Sequence, residues 1–243
     1  MSFAGRTVVV TGAGSGIGLR VVTRLLEAGA TVYAGDLDPS RCPDEAVKAV
    51  LDVRDESSVA AVIDRAVSDT GRLDVLCNNA GIASTADPIS CTAEEWDRVF
   101  AVNTRGVFLG TRHALPHMLA QGHGAIVNTA SVAGQIGLKN RAAYCASKGA
   151  VIAFSRQVAV QYAGDGIRCN CVCPGTVDSP WVGRLVSASA DPQAARAELI
   201  ARQPLGRLAR PDEIATAIVY LAGDDAQFIT GSELVIDGGI LAG

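Results

Sequence analysis

The segment Thr11-Gly12-Ala13-Gly14-Ser15-Gly16-Ile17-Gly18 limits the fold more than any other stretch of the 243-residue chain. It follows the apolar run Thr7-Val8-Val9-Val10 and opens into Leu19–Leu26, where apolar residues recur at helical spacing. A strand, a tight glycine turn and a helix are therefore expected in that order. Glycine lets the backbone turn sharply and leaves no side chain between it and a ligand. The helix that follows presents unpaired N–H groups and a partial positive charge, which suits a phosphate. Many αβ turns contain two glycines, so the strand before and the helix after give this one its meaning.

Thr31–Asp36 reads as the second strand, ending in a carboxylate 18 residues beyond Gly18. A dinucleotide-binding fold places an acid there on the adenosine ribose. The competing reading is a plain turn carboxylate in Asp36-Leu37-Asp38-Pro39. Neither Ser15 nor Leu37 is basic, and a carboxylate about 4 Å from an added 2′-phosphate charge costs about 4 kcal/mol at an effective dielectric near 20. The expected cofactor is therefore NAD rather than NADP.

Further strands are expected at Val47–Val53, Leu73–Cys77, Gly124–Ser131, Ile167–Cys173 and Glu233–Asp237. Between them fall a helix capped near Asp55 and stopped at Gly71, a capping box at Thr92-Ala93-Glu94-Glu95, and helices over about Asn103–Gln121 and Ala142–Ala163. Another helix starts at Pro211. This alternation predicts an α/β, single-domain Rossmann fold, a doubly wound parallel sheet of about seven strands with helices on both faces. Residues 1–243 are expected to form one dinucleotide-binding and catalytic domain, with 178–210 as a mixed segment beside the substrate. Ligands of such a sheet collect at its C-terminal edge, where the glycine turn, Asp36, Asn79, Ser131 and Pro174-Gly175 would meet.

Composition excludes several classes. No run of about 18 apolar residues appears, so no membrane span is expected. A net charge of −4 without a basic cluster argues against nucleic acid as a partner. The N-terminus lacks a signal-peptide core. Seven cysteines without repeated spacing do not form a disulfide framework, and a cytoplasmic, reduced setting is expected. Cys169, Cys171 and Cys173 would share one strand face, which reads as buried thiols rather than a metal comb. His113 and His117 stand one helical turn apart with no third ligand, so no metal site is expected.

Thr11-Gly12 with Gly16 and Gly18, Asn78-Asn79-Ala80-Gly81, Asn103, Ser131, Tyr144 with Lys148, and Pro174-Gly175 occur in one order along the chain. In that order they resemble the short-chain dehydrogenase/reductase family over essentially the whole sequence. The segment between Asp36 and Val47 is shorter than the family pattern. The resemblance implies that Tyr144 is the general acid/base and that Lys148 favours its phenolate and holds the nicotinamide ribose. A phenol at its ordinary pKa of about 10 is too weak a base near neutrality, and lowering it by roughly 2–3 units takes about 3–4 kcal/mol. Ser131 would hydrogen-bond the reacting oxygen, and Asn103 would anchor a water that relays protons through Lys148. The resemblance implies a cofactor site of Gly12, Ser15, Gly16, Ile17, Gly18, Asp36, Leu37, Asp52 and Val53, continued by Asn79, Ala80, Gly81, Tyr144, Lys148, Pro174, Gly175 and Val177. It also implies a homotetramer, or a dimer, paired through the helices at 103–121 and 142–163.

Within the family, Cys171–Pro180 and Ala201–Arg207 resemble the branch of type 2 3-hydroxybutyrate and 2-keto-3-deoxy sugar-acid dehydrogenases. That likeness implies a small hydroxy acid as substrate, its carboxylate clamped by arginine, whose fork matches a carboxylate. The candidates are Arg141, Arg184 and Arg202, with Ser131 at the reacting oxygen. Trp181 would instead line an apolar pocket for a cyclic or aromatic alcohol. Two further readings are a non-catalytic dinucleotide-binding regulator and an isomerase or dehydratase using bound NAD. The first conflicts with the presence of both Tyr144 and Lys148, the second with the short chain.

Overall fold

Thr7–Thr11 forms β1, buried along its length, and pairs in parallel with both β2 (Thr31–Asp36) and β4 (Val75–Asn78). β3 (Val47–Val50) lies outside β2, while β5 (Gly124–Thr129), β6 (Ile167–Pro174) and β7 (Glu233–Ile236) extend the sheet the other way. The computed structural model describes residues 1–242, and its seven-stranded sheet is parallel throughout in the order β3-β2-β1-β4-β5-β6-β7. This is the expected doubly wound α/β sheet. The winding reverses between β1 and β4, and a crevice opens at that point beyond the strands' C-terminal ends.

Alternation along the strands divides the core. Val8 and Val10 face α1 (Gly16–Glu27) and α8 (Pro211–Ala222), whereas Val9 faces α2 (Glu56–Thr70), α4 (Gly106–Gln121) and α5 (Ala142–Tyr162). Asp55 caps α2 by accepting from the Ser57 N–H, and Gly71 ends it in the left-handed region. No helix among the described residues is long and apolar enough to cross a membrane.

Several local expectations need correction. β3 stops at Val50; the Leu51 N–H still donates to the Asp36 carbonyl of β2 at 2.8 Å, and beyond it the chain turns into the Asp55 cap of α2. The helix expected from Asn103 is continuous with the preceding one. Thr92 caps α3 (Ala93–Phe100), and a wide π turn at Ala101–Arg105 joins it to α4. Side-chain bonds from Asn103 to the Ile82 backbone and to Ser147 hold that wide turn, which inserts a residue into the helical ladder. His113 faces Glu56 at 3.2 Å and His117 faces Asp64 at 3.5 Å across the helix surface. Cys169, Cys171 and Cys173 are buried free thiols on β6.

Residues 178–210 carry α6 (Pro180–Ser187) and α7 (Pro192–Ala201), each with proline in its first turn behind a capping Ser179 or Asp191. Their buried residues form a small core of their own, Val182 and Leu199 with Leu208, against which Trp181 packs.

Candidate active site

A cavity of about 780 Å³ runs along the C-terminal edge of the sheet, from Asp36 and Asp52 at one end to Arg141 and Arg202 at the other. Its size falls in the range of ligand sites, about 300–1,000 Å³.

The turn after β1 is shaped for close approach. Gly12 has φ of +67°, and a Cβ there would stand 2.7 Å from the Ala80 Cα. Asn79 staples the turn, its Nδ2 donating to the carbonyls of Thr11 (3.2 Å) and Gly12 (3.1 Å). The Thr11 hydroxyl accepts the N–H groups of Asn79 and Ala80, each at 3.1 Å. α1 then begins with no side-chain cap and no acid in its first turn, while Ser15, Gly16 and Ile17 line the cavity. Uncapped N–H groups at a helix start fit an anion such as a pyrophosphate.

Asp36 is oriented by backbone. Its Oδ2 accepts the Gly14 N–H at 2.8 Å and its Oδ1 the Asp38 N–H at 3.0 Å. Leu37, Asp52 and Val53 line the same end. Arg54 forks onto Asp52, with Nη2–Oδ2 at 2.7 Å, and holds that carboxyl below the usual range. Asp52 therefore presents an ion pair rather than a free carboxylate. These residues fit the adenosine end of a dinucleotide, with the Asp36 carboxylate lining the cavity there.

The reacting centre brings Ser131, Tyr144 and Lys148 to one wall, with Asn79, Ala80, Gly81, Pro174, Gly175 and Val177 around them. Ser131 follows β5, and its Oγ accepts from the Ala133 N–H at 3.2 Å. Tyr144 and Lys148 stand one turn apart on α5, with Nζ 5.8 Å from the phenol ring's centre. Lys148 is 4% exposed and donates to the Thr129 carbonyl at 2.7 Å; burial lowers its pKa to about 8.

The expected lowering of the Tyr144 pKa by Lys148 is not what the protein's groups produce. Burial pushes the phenol above its ordinary value, opposed by hydrogen bonding to the Ser131 hydroxyl and by the Arg141 guanidinium. Desolvation of the phenolate outweighs both.

Two expected site residues stand behind the cavity wall. Gly18 packs on the turn itself, where a Cβ would lie 2.0 Å from the Gly12 carbonyl oxygen. Asn103 is fully buried; it accepts from the Ile82 N–H and donates to the Ile82 carbonyl, both at 2.8 Å, and it donates to Ser147 at 3.0 Å. A Cβ on Gly81 would be 3.4 Å from both Asn103 Oδ1 and Lys148 Nζ, so Asn103 backs the reacting centre.

Arg141, Trp181, Arg184 and Arg202 also line the cavity, with the Arg141 guanidinium carbon 5.7 Å over the Trp181 ring and Arg202 within electrostatic reach of Arg141, alongside the apolar Leu138, Val182, Leu185 and Leu199. Sequence reasoning missed these leucines, because their signal was only a helical pattern across a mixed segment. It also missed Arg54 and Arg98, which line the cavity as well. The position of Arg54 directly after Asp52-Val53 was the available cue.

Residues 12–241 match the family model described as enoyl-(acyl carrier protein) reductase. The cis-4-hydroxycyclohexanecarboxylate dehydrogenase of Sinomonas cyclohexanicum is 46% identical, the alignment covering 99% of this chain and 98% of that protein. The chain belongs to the short-chain dehydrogenase/reductase family. Another member, the 2-(R)-hydroxypropyl-CoM dehydrogenase of Xanthobacter autotrophicus, is 42% identical over 98% of this chain and 99% of its own length. The crystal structure of levodione reductase matches with a TM-score of 0.94 at 37% identity, covering 99% of both chains. Membership in this family of dehydrogenases and reductases makes the protein an oxidoreductase.

Proposed function

We propose that the chain is an NAD-dependent dehydrogenase moving hydride between the nicotinamide and the secondary alcohol or ketone carbon of a small hydroxy acid. The observation that carries this reading is the cavity lining, where Arg141 lies over Trp181 and Arg184, Arg202 and a set of leucines share the same cavity. An apolar body with an anionic end matches that lining. A relative named for a hydroxycyclohexanecarboxylate has the same two parts, ring and carboxylate, and supports a ring-sized body. The likeness to sugar-acid and 3-hydroxybutyrate enzymes has less support, since the leucine lining does not suit a polyol.

Bound NAD supplies the hydride acceptor. Tyr144 takes the hydroxyl proton as the hydride leaves carbon, Ser131 hydrogen-bonds the reacting oxygen, and Lys148 places its ammonium beside them. Asp36 accepts from the adenosine ribose hydroxyls and repels a 2′-phosphate. Residues 178–210 form the substrate side of the cavity. Exposed Phe108 on α4 and Val160 on α5 support pairing of copies into a homotetramer or dimer, which sedimentation of the purified chain reads directly. The reduced thiols fit a cytoplasmic setting.

The test is a panel of ring hydroxy acids, sugar acids and neutral cyclic alcohols followed by NADH absorbance, with Tyr144→Phe alongside. Hydroxy acids should exceed neutral alcohols of the same ring by tenfold or more in kcat/KM, about 1.4 kcal/mol for a charge-assisted contact. Tyr144→Phe should cut kcat by about 10²–10⁴ with NAD binding retained. The second reading, a neutral cyclic alcohol seated on Trp181, predicts the reverse preference.

A further inference from the structure

Four glycines lie in and just after the turn that follows β1, and each has a different neighbour. A Cβ on Gly12 would meet Ala80, and one on Gly18 would meet Gly12 itself. One on Gly16 would stand 3.8 Å from Ser179 and Pro180 at the start of α6. Gly14 faces the end of β2 instead. A Cβ there would lie 2.5 Å from the Asp38 carbonyl oxygen, 3.0 Å from the Asp36 Cγ and 3.2 Å from the Asp36 Oδ1. The pattern of Thr11-Gly12 with Gly16 and Gly18 assigns this position no part, and Gly14 is buried behind the cavity lining.

That close approach is what grips the Asp36 carboxylate. The Gly14 N–H donates to its Oδ2 at 2.8 Å and the Asp38 N–H to its Oδ1 at 3.0 Å, so each oxygen is held by one backbone donor. Both flanks are anchored. The Ala13 N–H ties the loop to the Gly35 carbonyl of β2 at 3.1 Å, and the Leu51 N–H ties the Asp36 carbonyl to the end of β3. Leu37 and Asp38 are exposed, and Asp38 is held beyond them only by its cap on the Ser40 N–H. A methyl group added at position 14 would have to displace its neighbours. Asp38 is the part free to yield, and with it goes one of the two donors that orient Asp36.

We propose that Gly14 is a positioning residue for cofactor choice: its missing side chain lets the loop and Asp38 grip the Asp36 carboxylate in the orientation that selects NAD over NADP. This rests on the NAD reading and adds to it a residue outside the cavity lining. Any residue with a Cβ at position 14 leaves the acid in place but less firmly held. NAD then loses a fixed acceptor for its ribose hydroxyls, while NADP loses part of the repulsion on its 2′-phosphate. The two cofactors are therefore affected unequally, and only through Asp36.

The experiment is calorimetric titration of NAD and NADP on the purified chain, in a cycle of wild type, Gly14→Ala, Asp36→Asn and the double variant. Gly14→Ala should weaken NAD by about tenfold and NADP by less, so that the preference for NAD falls. In the Asp36→Asn background the same alanine should leave the ratio of the two dissociation constants within about twofold, because its effect passes through the carboxylate. A turn that merely lost its shape would weaken both cofactors equally in both backgrounds, and that result overturns the proposal. A further fall of the ratio in the Asp36→Asn background overturns the route through Asp36. A wild type that prefers NAD beside a Gly14→Ala chain with the same preference overturns the role of Gly14 and leaves the NAD reading standing. A wild type that prefers NADP overturns the NAD reading, and the role of Gly14 falls with it. Should Gly14→Ala fail to fold by circular dichroism, the cycle is run with Asp38→Gly in every member. That change frees the turn from its cap on Ser40 so that it can take up the methyl group. An unchanged ratio there ends the proposal.

Discussion

The half of the cavity proposed for adenosine is shaped by backbone at the glycine turn, whereas the half proposed for the substrate is lined by long side chains, several of them on α6 and α7. In the first half the contacts come from the glycine turn, the uncapped start of α1 and a carboxylate held by two N–H groups. These parts are anchored to β1, β2 and β4, the middle of the buried sheet. In the second half Trp181, Arg184, Leu185 and Leu199 stand on helices whose core is separate from the two large ones. A scaffold of this kind keeps the cofactor site constant while the substrate side changes by side-chain replacement.

Lys148 lies on the border between the halves, and replacing it gives the largest expected effect. Lys148→Met should lower kcat by about 10²–10⁴, read by NADH absorbance. Stability should move the other way. The buried ammonium has a pKa of about 8 against an unfolded value near 10.5, so below pH 8 the folded state holds a proton it binds weakly. Between those values the unfolded state binds more protons, and wild-type stability rises with pH. The methionine variant should therefore be more stable than wild type at pH 7 in urea titrations, and the gain should vanish as pH approaches 10.5. A loss of stability at pH 7 would show that the bond to Thr129 outweighs desolvation. The border would then be a structural joint rather than a strained one.

In the adenosine half, Asp36→Asn should weaken NAD binding by about ten- to a hundredfold, the worth of charge-assisted hydrogen bonds. The effect on NADP should be smaller or reversed, because the repelled 2′-phosphate no longer meets a carboxylate. Calorimetric titration of both cofactors measures it. Equal losses for the two would mean that Asp36 acts by holding the Gly14 and Asp38 N–H groups, and that this half is backbone even where it looks like side chain.

The contrast also explains what the sequence made legible. Sheet and helices follow from local signals, such as the glycine turn and strand alternation, and the same strand ends and helix bring Ser131, Tyr144 and Lys148 to one cavity. The π turn at Ala101–Arg105 was not legible, because it depends on Asn103 reaching Ile82 and Ser147, which are distant in the chain. The pKa of Tyr144 was misjudged for the same kind of reason: i,i+4 spacing shows a nearby cation but not how deeply the pair is buried. Arg141, Arg184 and Arg202 were named as a clamp from likeness alone. That all three line one cavity depends on how α6 and α7 fold beside the sheet edge, which spacing does not encode.

The smallest expected effect tests whether the two halves are energetically separate. Leu199 belongs to the three-residue core beneath α6 and α7, whereas Leu76 sits in the large core under α2 and α4. Truncating a buried leucine usually costs about 2–5 kcal/mol, and Leu76→Ala should fall in that range by urea denaturation. Leu199→Ala should move the global midpoint by less than about 1 kcal/mol, because α6 and α7 can open without dismantling the parallel sheet. Its consequence should appear as faster amide exchange confined to 180–201 and a few-fold higher KM for the hydroxy acid, with NAD affinity unchanged. If Leu199→Ala destabilised the whole chain as much as Leu76→Ala, the small core would be part of the cooperative unit. Substrate range could then not be altered through α6 and α7 without weakening the cofactor site as well.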